Sequence, residues 1–323
     1  MPNTLTSATV SQTSGTPKST TQPLVTIITP AYNRADYLRE TIESILQQDY
    51  PNVEYIVLDD GSKDNTVDLL KEYDGRLYWE SHENMGEIRT VNKAYAMAKG
   101  EYIAVINSDD PLLPGAITAV VEAFENNPDA LVIYPDWQYI DGDGKAVMDV
   151  QTPDYDYLEM LATHRCMPGP GTFVSRKALT LAGVRDPKVK YISDFDLWLR
   201  MGLYGPFKRL PKVLATYRVH PTSLSSTEQG RKMSSEDIEM LDRFYARKDL
   251  PKSVLAIKKR AYSWGHYHAC QVAGSAKYTA AWHAIMAMLY CPAAFRGPEF
   301  LYKRQIVEKI LNNVLPDFLK KKK

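Results

Sequence analysis

Apolar residues recur along the first half of the chain in two alternating patterns. Short runs rich in β-branched residues, such as Val25–Thr29 and 53–58, are typical of strands buried on both faces of a parallel sheet. Between them, Leu38, Ile42 and Ile45 recur at the spacing of an amphipathic helix. This alternation predicts an α/β fold, with a mostly parallel, doubly wound sheet flanked by helices.

The same reading gives the order of the remaining elements. Pro30 is predicted to end the first strand, and the helix after it runs to about Gln48. Helices are predicted at 65–72, 88–98, 115–126 and 194–203, strands at 76–79, 101–106, 130–134 and 213–219, and a β-hairpin at 137–150. From about residue 234 the pattern is helical to the end of the chain.

These patterns divide the chain into three regions. Residues 1–22 are rich in Ser and Thr and lack an apolar core, so we expect a disordered lead rather than a signal peptide. Residues 23–228 form the α/β domain, with halves at 23–135 and 136–228. Residues 229–323 form a C-terminal helical extension, whose most apolar stretch is shorter than the ~20 residues of a membrane span.

Composition narrows the class of protein. The 39 basic and 39 acidic side chains cancel, so no overall field favours nucleic acid as a partner. The three cysteines show no CxxC spacing, which predicts free thiols in a reducing compartment and hence a cytoplasmic location. The basic run Lys320–Lys323 is either a solvated end or a weak peripheral contact with anionic lipid at the inner face of the plasma membrane.

Two pairs of adjacent acids follow predicted strands. Asp59-Asp60 and Asp109-Asp110 each end a β-branched run and lead into turn residues. Ligands of open α/β sheets bind outside the carboxyl ends of the strands. Four acids gathered there would repel one another without a divalent cation or a hydrogen-bonding ligand, so the pairs predict a binding site. Turn formation by Asp60, and helix capping by the second pair, are the structural alternatives.

Other candidate residues lie at strand and helix ends. Tyr32, in the junction after the first strand, offers a ring on which a base could stack, although a core tyrosine is as good a reading. Asp194 opens a predicted helix, either as a general base or as a partner of the helix dipole. Arg218 and His220 share one face of the last strand and could meet a diphosphate or a metal ion, although an ordinary surface histidine explains His220 as well.

In their order and spacing, these residues resemble the family 2 glycosyltransferases. The similarity extends from Val25 to about Ser225. The matching pieces are Thr29–Arg34, Leu58–Ser62 with Asp64 and Thr66, Asn84–Gly86 leading to Asn92, Gly100–Ala104, Ser108–Asp110, Asp194 before Leu197–Arg200, and Tyr217–His220.

The resemblance implies a GT-A fold and an inverting transfer from a nucleotide-diphosphate sugar, with a UDP-sugar favoured. The half at 23–135 would bind the nucleotide and the half at 136–228 the acceptor. By the same resemblance Asp194 is the catalytic base and Asp110 ligates Mn²⁺ or Mg²⁺. From their place on the last strand, His220 is a further candidate metal ligand and Arg218 a candidate contact for the diphosphate or the acceptor. The implied nucleotide-binding residues are Pro30, Ala31, Tyr32, Arg34, Asp60 and Asp109.

Two positions depart from the family pattern. Asn107 stands where relatives often have an acid, which implies modest metal affinity, and Ser193 stands where they commonly have a second acid before the base. The expected function is that of a bacterial hexosyltransferase of polysaccharide biosynthesis, acting on a glycan or a lipid-linked acceptor. The alternatives are a nucleotidyltransferase, although the expected glycine-rich phosphate loop is missing after the first strand, and a non-catalytic nucleotide-sugar-binding protein.

Overall fold

The computed structural model describes residues 22–220, 230–273 and 276–292. The strands are β1 Val25–Ala31, β2 Val53–Asp59, β3 Tyr78–Ser81, β4 Tyr102–Val105, β5 Val132–Ile140, β6 Ala146–Val150, β7 Phe173–Ser175 and β8 Phe207–Arg218. The helices are α1 Ala35–Leu46, α2 Thr66–Lys71, α3 Glu87–Met97, α4 Ala116–Asn126, α5 Tyr157–Thr163, α6 Arg176–Ala182, α7 Ser193–Met201, α8 Gly230–Tyr245, α9 Lys252–Ala256, α10 Lys258–Val272 and α11 Lys277–Tyr290.

One mixed sheet of eight strands forms the centre of the molecule. Its order is β3-β2-β1-β4-β7-β5-β6, and β8 pairs with the other edge of β5. The first four strands are mutually parallel, β7 runs antiparallel to β4 and β5, and β8 is parallel to β5. The predicted α/β class, with a mostly parallel sheet and C-terminal helices, is confirmed. The antiparallel β7 was not anticipated as a sheet member between β4 and β5.

Several strand ends differ from the prediction, and for β1 and β5 the physical reason is clear. β1 continues through Pro30 to Ala31. Its pairing with β4 stops at Ile28, so Pro30 has no β4 residue beside it that would need its missing N–H as a donor. β5 extends to Ile140 rather than ending at 134, because β8 pairs with it along its whole length. The predicted hairpin is present as β5 and β6, with its turn at 141–144.

Apolar side chains pack on both faces of the sheet. Helices α1, α2 and α4 cover one face, with buried residues such as Leu38, Leu70 and Val120. Helices α3, α5 and α7 pack against the other face, and Met240 of α8 and Ala261 of α10 belong to that same core. Helices α8, α9 and α10 therefore share a hydrophobic core with the α/β domain, while α11 packs on α10 in a separate small cluster.

Some predictions fall outside the described residues. These are the disordered lead, apart from residue 22, and the basic run Lys320–Lys323. The predicted domain boundary at residue 228 also lies in a range that the structure does not describe. Among the described residues, no helix is both long enough and apolar enough to span a membrane.

Candidate functional site

The first acid pair lies at the tip of β2. Asp59 is fully buried and accepts a hydrogen bond from Ser81 Oγ at 2.6 Å, which ties β2 to β3. Asp60 is only 3% exposed, and its two carboxylate oxygens accept the backbone N–H groups of Met85 at 2.7 Å and Gly86 at 2.9 Å. Gly86 directly precedes α3, so the carboxylate of Asp60 lies where the helix dipole favours negative charge.

The loop after β1 is fastened to the turn after β2. Asn33 has a left-handed backbone, its N–H donates to Ser62 Oγ, and its side-chain oxygen accepts the N–H of Lys63, both at 2.8 Å. Gly61 in that turn also has a positive φ. A Cβ at this position would lie 2.8 Å from the backbone nitrogen of Asn84, in the loop that leads to α3. These contacts leave the ring of Tyr32 45% exposed beside the turn.

The second acid pair lies just beyond β4 and is locked to the end of β8. Asp110 is 5% exposed and accepts the backbone N–H of Arg218 at 2.8 Å and the side-chain amide of Asn107 at 2.9 Å. Asp109 lies 3.0 Å from His220 Nε2 and 3.4 Å from Arg34 Nε. Burial, and after it the charge of Asp109, raises the pKa of Asp110 to about 7.

The donor atoms around this pair fit a hard divalent cation. Two adjacent carboxylates lie there, Asp109 contacts the imidazole of His220, and oxygen-rich donor sets suit Mg²⁺ and Mn²⁺. The side-chain N–H of Asn107 donates to the carboxylate of Asp110, so this position supplies a hydrogen-bond donor and no negative charge.

Arg218 is almost wholly occupied by contacts within the protein. Its side chain is 1% exposed and forms an ion pair with Glu40 on α1. It also donates to the backbone oxygen of Asp109 at 3.0 Å and lies over the ring of Tyr37, 5.0 Å from its centroid. These contacts hold the end of β8 against α1. A diphosphate or acceptor contact by Arg218 stays a prediction.

Asp194 occupies the first turn of α7 and is exposed. Asp196, two residues later, is buried and paired with Arg200 on the same helix at 2.8 Å. Only the first of the two acids therefore faces solvent. Burial lowers the pKa of the nearby Arg185, but Tyr95, Glu87 and Asp194 outweigh burial and raise that pKa overall.

Contacts link this helix to the first acid pair. Arg185 donates to Glu87 at 2.9 Å, and Glu87 begins α3 directly after the glycine whose N–H binds Asp60. The side chain of Asn92 holds the backbone of Arg185 through two further hydrogen bonds, at 2.8 and 3.1 Å. The segment leading to Asp194 is thus docked along α3.

Sequence reasoning missed two acids on α8. The carboxylate of Glu236 accepts the backbone N–H groups of three consecutive residues that precede α7, with the Ile192 bond at 3.1 Å. Asp237 lies 2.7 Å from His164 Nε2 and 3.0 Å from His268 Nδ1. No local pattern marks either acid, because their partners are tens of residues away in the chain.

The group His164, Asp237 and His268 is a possible metal centre within the described residues. Its ligand atoms all lie within 4.8 Å of one another. In the structure the Asp237 carboxylate is hydrogen-bonded to both imidazoles, and these bonds outweigh burial and lower the pKa of Asp237 to about 2. The three side chains join α5 to α8 and α10.

The fold, a mixed and mostly parallel α/β sheet flanked by helices and followed by C-terminal helices, is similar to the GT-A fold of solved glycosyltransferases. Solved structures with this fold include S. aureus TarS in complex with UDP-GlcNAc, with TM-score 0.60, 17% identity and 89% of each chain covered. Another is the mannosyltransferase PcManGT of Pyrobaculum calidifontis with GDP-Man and Mn²⁺, with TM-score 0.58, 16% identity, and 96% and 91% of the two chains covered.

Residues 26–179 match the family described as Glycosyl transferase family 2, and this part of the chain belongs to that family. An uncharacterized glycosyltransferase of Rickettsia typhi is 29% identical over 250 residues, which cover 75% of this chain and 77% of the relative. The hyaluronan synthase of Pasteurella multocida is 29% identical over 212 residues, which cover 64% of this chain but 22% of the synthase. The protein is therefore a nucleotide-sugar glycosyltransferase.

Proposed function

We propose that the protein transfers a sugar, with inversion at the anomeric carbon, from a UDP-sugar to a hydroxyl group of a glycan or lipid-linked acceptor. The observation that supports this most strongly is the buried Asp109-Asp110 pair, which the end of β8 holds at the sheet edge where ligands of α/β folds bind. Two carboxylates in such a place favour a site for a diphosphate accompanied by a cation.

The nucleotide would bind between the tips of β1 and β2. The exposed ring of Tyr32 is suited to stack on the base, beside Pro30, Ala31 and Arg34. Each oxygen of Asp60 accepts one backbone N–H and keeps a lone pair for the imino N–H of a uracil ring, which favours UDP as the carrier. Asp109 would accept a hydrogen bond from the ribose.

The diphosphate would lie next to the second acid pair. Mn²⁺ or Mg²⁺, held there by Asp110 and His220, would supply Lewis-acid stabilisation of the negative charge on the departing diphosphate. Asp109 orients the imidazole of His220, whose Nε2 is 3.0 Å from its carboxylate. PcManGT, a structure of the same fold, was solved with Mn²⁺.

Asp194 would act as the general base. Its carboxylate takes the proton of the acceptor hydroxyl while that oxygen attacks the anomeric carbon on the face opposite the diphosphate. The new carbon–oxygen bond forms as the bond to the β-phosphate oxygen breaks, and the nucleoside diphosphate leaves with the electron pair. Base catalysis of this kind contributes about 10²–10⁴-fold to the rate.

Nucleotide release from a panel of nucleotide sugars, with added Mn²⁺ or Mg²⁺, tests the proposal. We expect Asp194→Asn to lower transfer by at least about 10²-fold while stabilisation of the protein by the donor is retained. Asp68→Asn is the matched control, because Asp68 is also an exposed acid in the first turn of a helix. Near-normal transfer by the Asp194 variant would refute the assigned base.

A further inference from the structure

Helix α11 exposes a row of large apolar side chains along one side. The exposed fractions are 82% for Tyr278, 52% for Trp282, 44% for Ile285 and 67% for Leu289. At 3.6 residues per turn these positions fall within roughly 60° around the helix axis. They therefore form one continuous stripe, which we call the α11 stripe.

The stripe points away from the rest of the protein. On the opposite side of α11, Ala284 and Ala287 are buried in one cluster with α10. Ser263 Oγ on α10 donates to the backbone oxygen of Ala287 at 2.6 Å, and the Nδ1 atoms of His266 and His283 lie 2.9 Å apart. A surface helix normally carries polar side chains on its outer face, so an apolar outer face marks an interaction surface.

The charge around the stripe is positive. α10 and α11 contain no acidic residue, and their basic residues are Lys258, Lys259, Arg260 and Lys277. Tyr262 on α10 and Tyr290 on α11 stack with ring centroids 5.1 Å apart, so the basic start of α10 lies beside the end of α11. Arg260 is paired with Glu159 on α5, while Lys259 and Lys277 are exposed at opposite ends of α11.

The chain after the last described residue adds charge of the same sign. Residues 293–323 contain eight basic and three acidic residues, whereas the whole chain has equal numbers of the two. Repulsion between like charges disfavours packing of this segment on the basic side of α10 and α11. A surface of anionic lipid attracts both.

Two further properties favour a membrane surface over another protein. Tyrosine and tryptophan combine an apolar ring with a polar tip and are enriched where lipid meets water. A stable protein–protein interface takes about 20–30 residues from each side, many more than a stripe of four. With 14 residues, α11 is shorter than the ~20 of a membrane span, so it can lie in the interface but cannot cross it.

We propose that the α11 stripe docks the protein on an anionic membrane. In this arrangement α11 lies in the plane of the lipid headgroups, with its four apolar side chains inserted and the basic residues of α10 and α11 facing lipid phosphates. The inference does not depend on the proposed function, because docking requires neither a donor sugar nor a base. It gives the exposed apolar side of α11 an occupant that matches both its aromatic residues and its charge.

Co-sedimentation of the full-length protein with vesicles measures docking directly. The probes are vesicles of equal parts phosphatidylcholine and phosphatidylglycerol, and vesicles of phosphatidylcholine alone. We expect binding to the anionic vesicles, binding at least about tenfold weaker to the neutral ones, and weaker binding to both at high salt. Tyr278→Gln and Leu289→Gln should each weaken binding to anionic vesicles by about tenfold, the scale of withdrawing one large apolar side chain from the interface.

Met148→Gln is the matched control, because it removes an apolar side chain that is 56% exposed on β6, and it should bind like the wild type. No binding to anionic vesicles, or equal binding by the stripe variants and the control, would overturn the proposal. Light scattering and thermal melts without vesicles test the other occupants. A lower oligomeric mass in Leu289→Gln would show that a second copy covers the stripe, and a clearly lower Tm that a later part of the same chain covers it. Either result would overturn the proposal, whereas unchanged mass and Tm with weakened vesicle binding would support it.

Discussion

Glu236 on α8 connects the C-terminal helices to the segment that carries the candidate base. The residue is buried, with 7% of its surface exposed. One carboxylate oxygen accepts the N–H of Lys190, and the other accepts those of Tyr191 and Ile192. Helix α7 begins at the next residue. The perturbation that isolates this contact is Glu236→Gln, which keeps the shape of the side chain and removes its charge.

The size of the effect follows from these three bonds. A glutamine can keep its oxygen towards Tyr191 and Ile192, but its NH₂ group then faces the N–H of Lys190 and no hydrogen bond forms there. A hydrogen bond to a charged group contributes about 1.5–3 kcal/mol. We therefore expect Glu236→Gln to lower the free energy of unfolding by about 2–3 kcal/mol, and Glu236→Ala by about 3–5 kcal/mol, since three buried N–H groups lose their acceptor.

Chemical denaturation measures the stability change, and steady-state kinetics measures its functional consequence. We expect kcat to fall in Glu236→Gln, because Asp194 loses its fixed position, while the KM for the donor stays close to wild type. Glu239→Gln is the matched control, because Glu239 is exposed on the same helix. Wild-type stability and turnover in Glu236→Gln, or a defect confined to donor binding, would refute this reasoning.

Two further predictions concern the fold. Gly61→Ala should lower stability by about 2–3 kcal/mol in thermal melts, since the left-handed backbone and a Cβ 2.8 Å from a backbone nitrogen both oppose a side chain. Gly75→Ala has a similar φ but open space, so its loss should be about 1 kcal/mol, and equal losses would contradict the argument. Burial, and after it the nearby His283, lowers the pKa of His266 to about 4 in the folded protein. Between pH 6.5 and 4 this histidine is therefore protonated in the unfolded chain and neutral in the folded one. Stability should be lost as the pH falls from 6.5 to 4, by about 1.4 kcal/mol per unit, and denaturation curves of His266→Gln should lack this component.

The parts of the structure that sequence could predict are those set by local patterns. The β-branched runs give the parallel strands, and because such strands end at one edge of a sheet, the acids after β2 and β4 could be assigned to a common site. The end of β1 was predicted two residues early, at Thr29 before Pro30, because the rule against proline in a strand depends on the length of a neighbour, here β4. Sequence pattern carries no information on that length.

The contacts that sequence could not predict join distant parts of the chain. Strand alternation placed Arg218 and His220 on one face, but it could not show that the guanidinium would be buried against Glu40 while the imidazole meets Asp109. Glu236 and Asp237 look like ordinary polar residues of an amphipathic helix. Their partners lie 31 to 73 residues away, and only the packed fold brings them together.

The shared core of α7 and α8 bears on how variants of this enzyme can be built. A chain shortened after β8 would retain all of residues 26–179, the part that matches the family, yet expose the surface that Met240 and Leu241 cover. It would also release the backbone ahead of α7. The C-terminal helices are therefore unsuited to exchange between relatives as a self-contained module, and a chimera would need its junction placed so that both helices come from one parent.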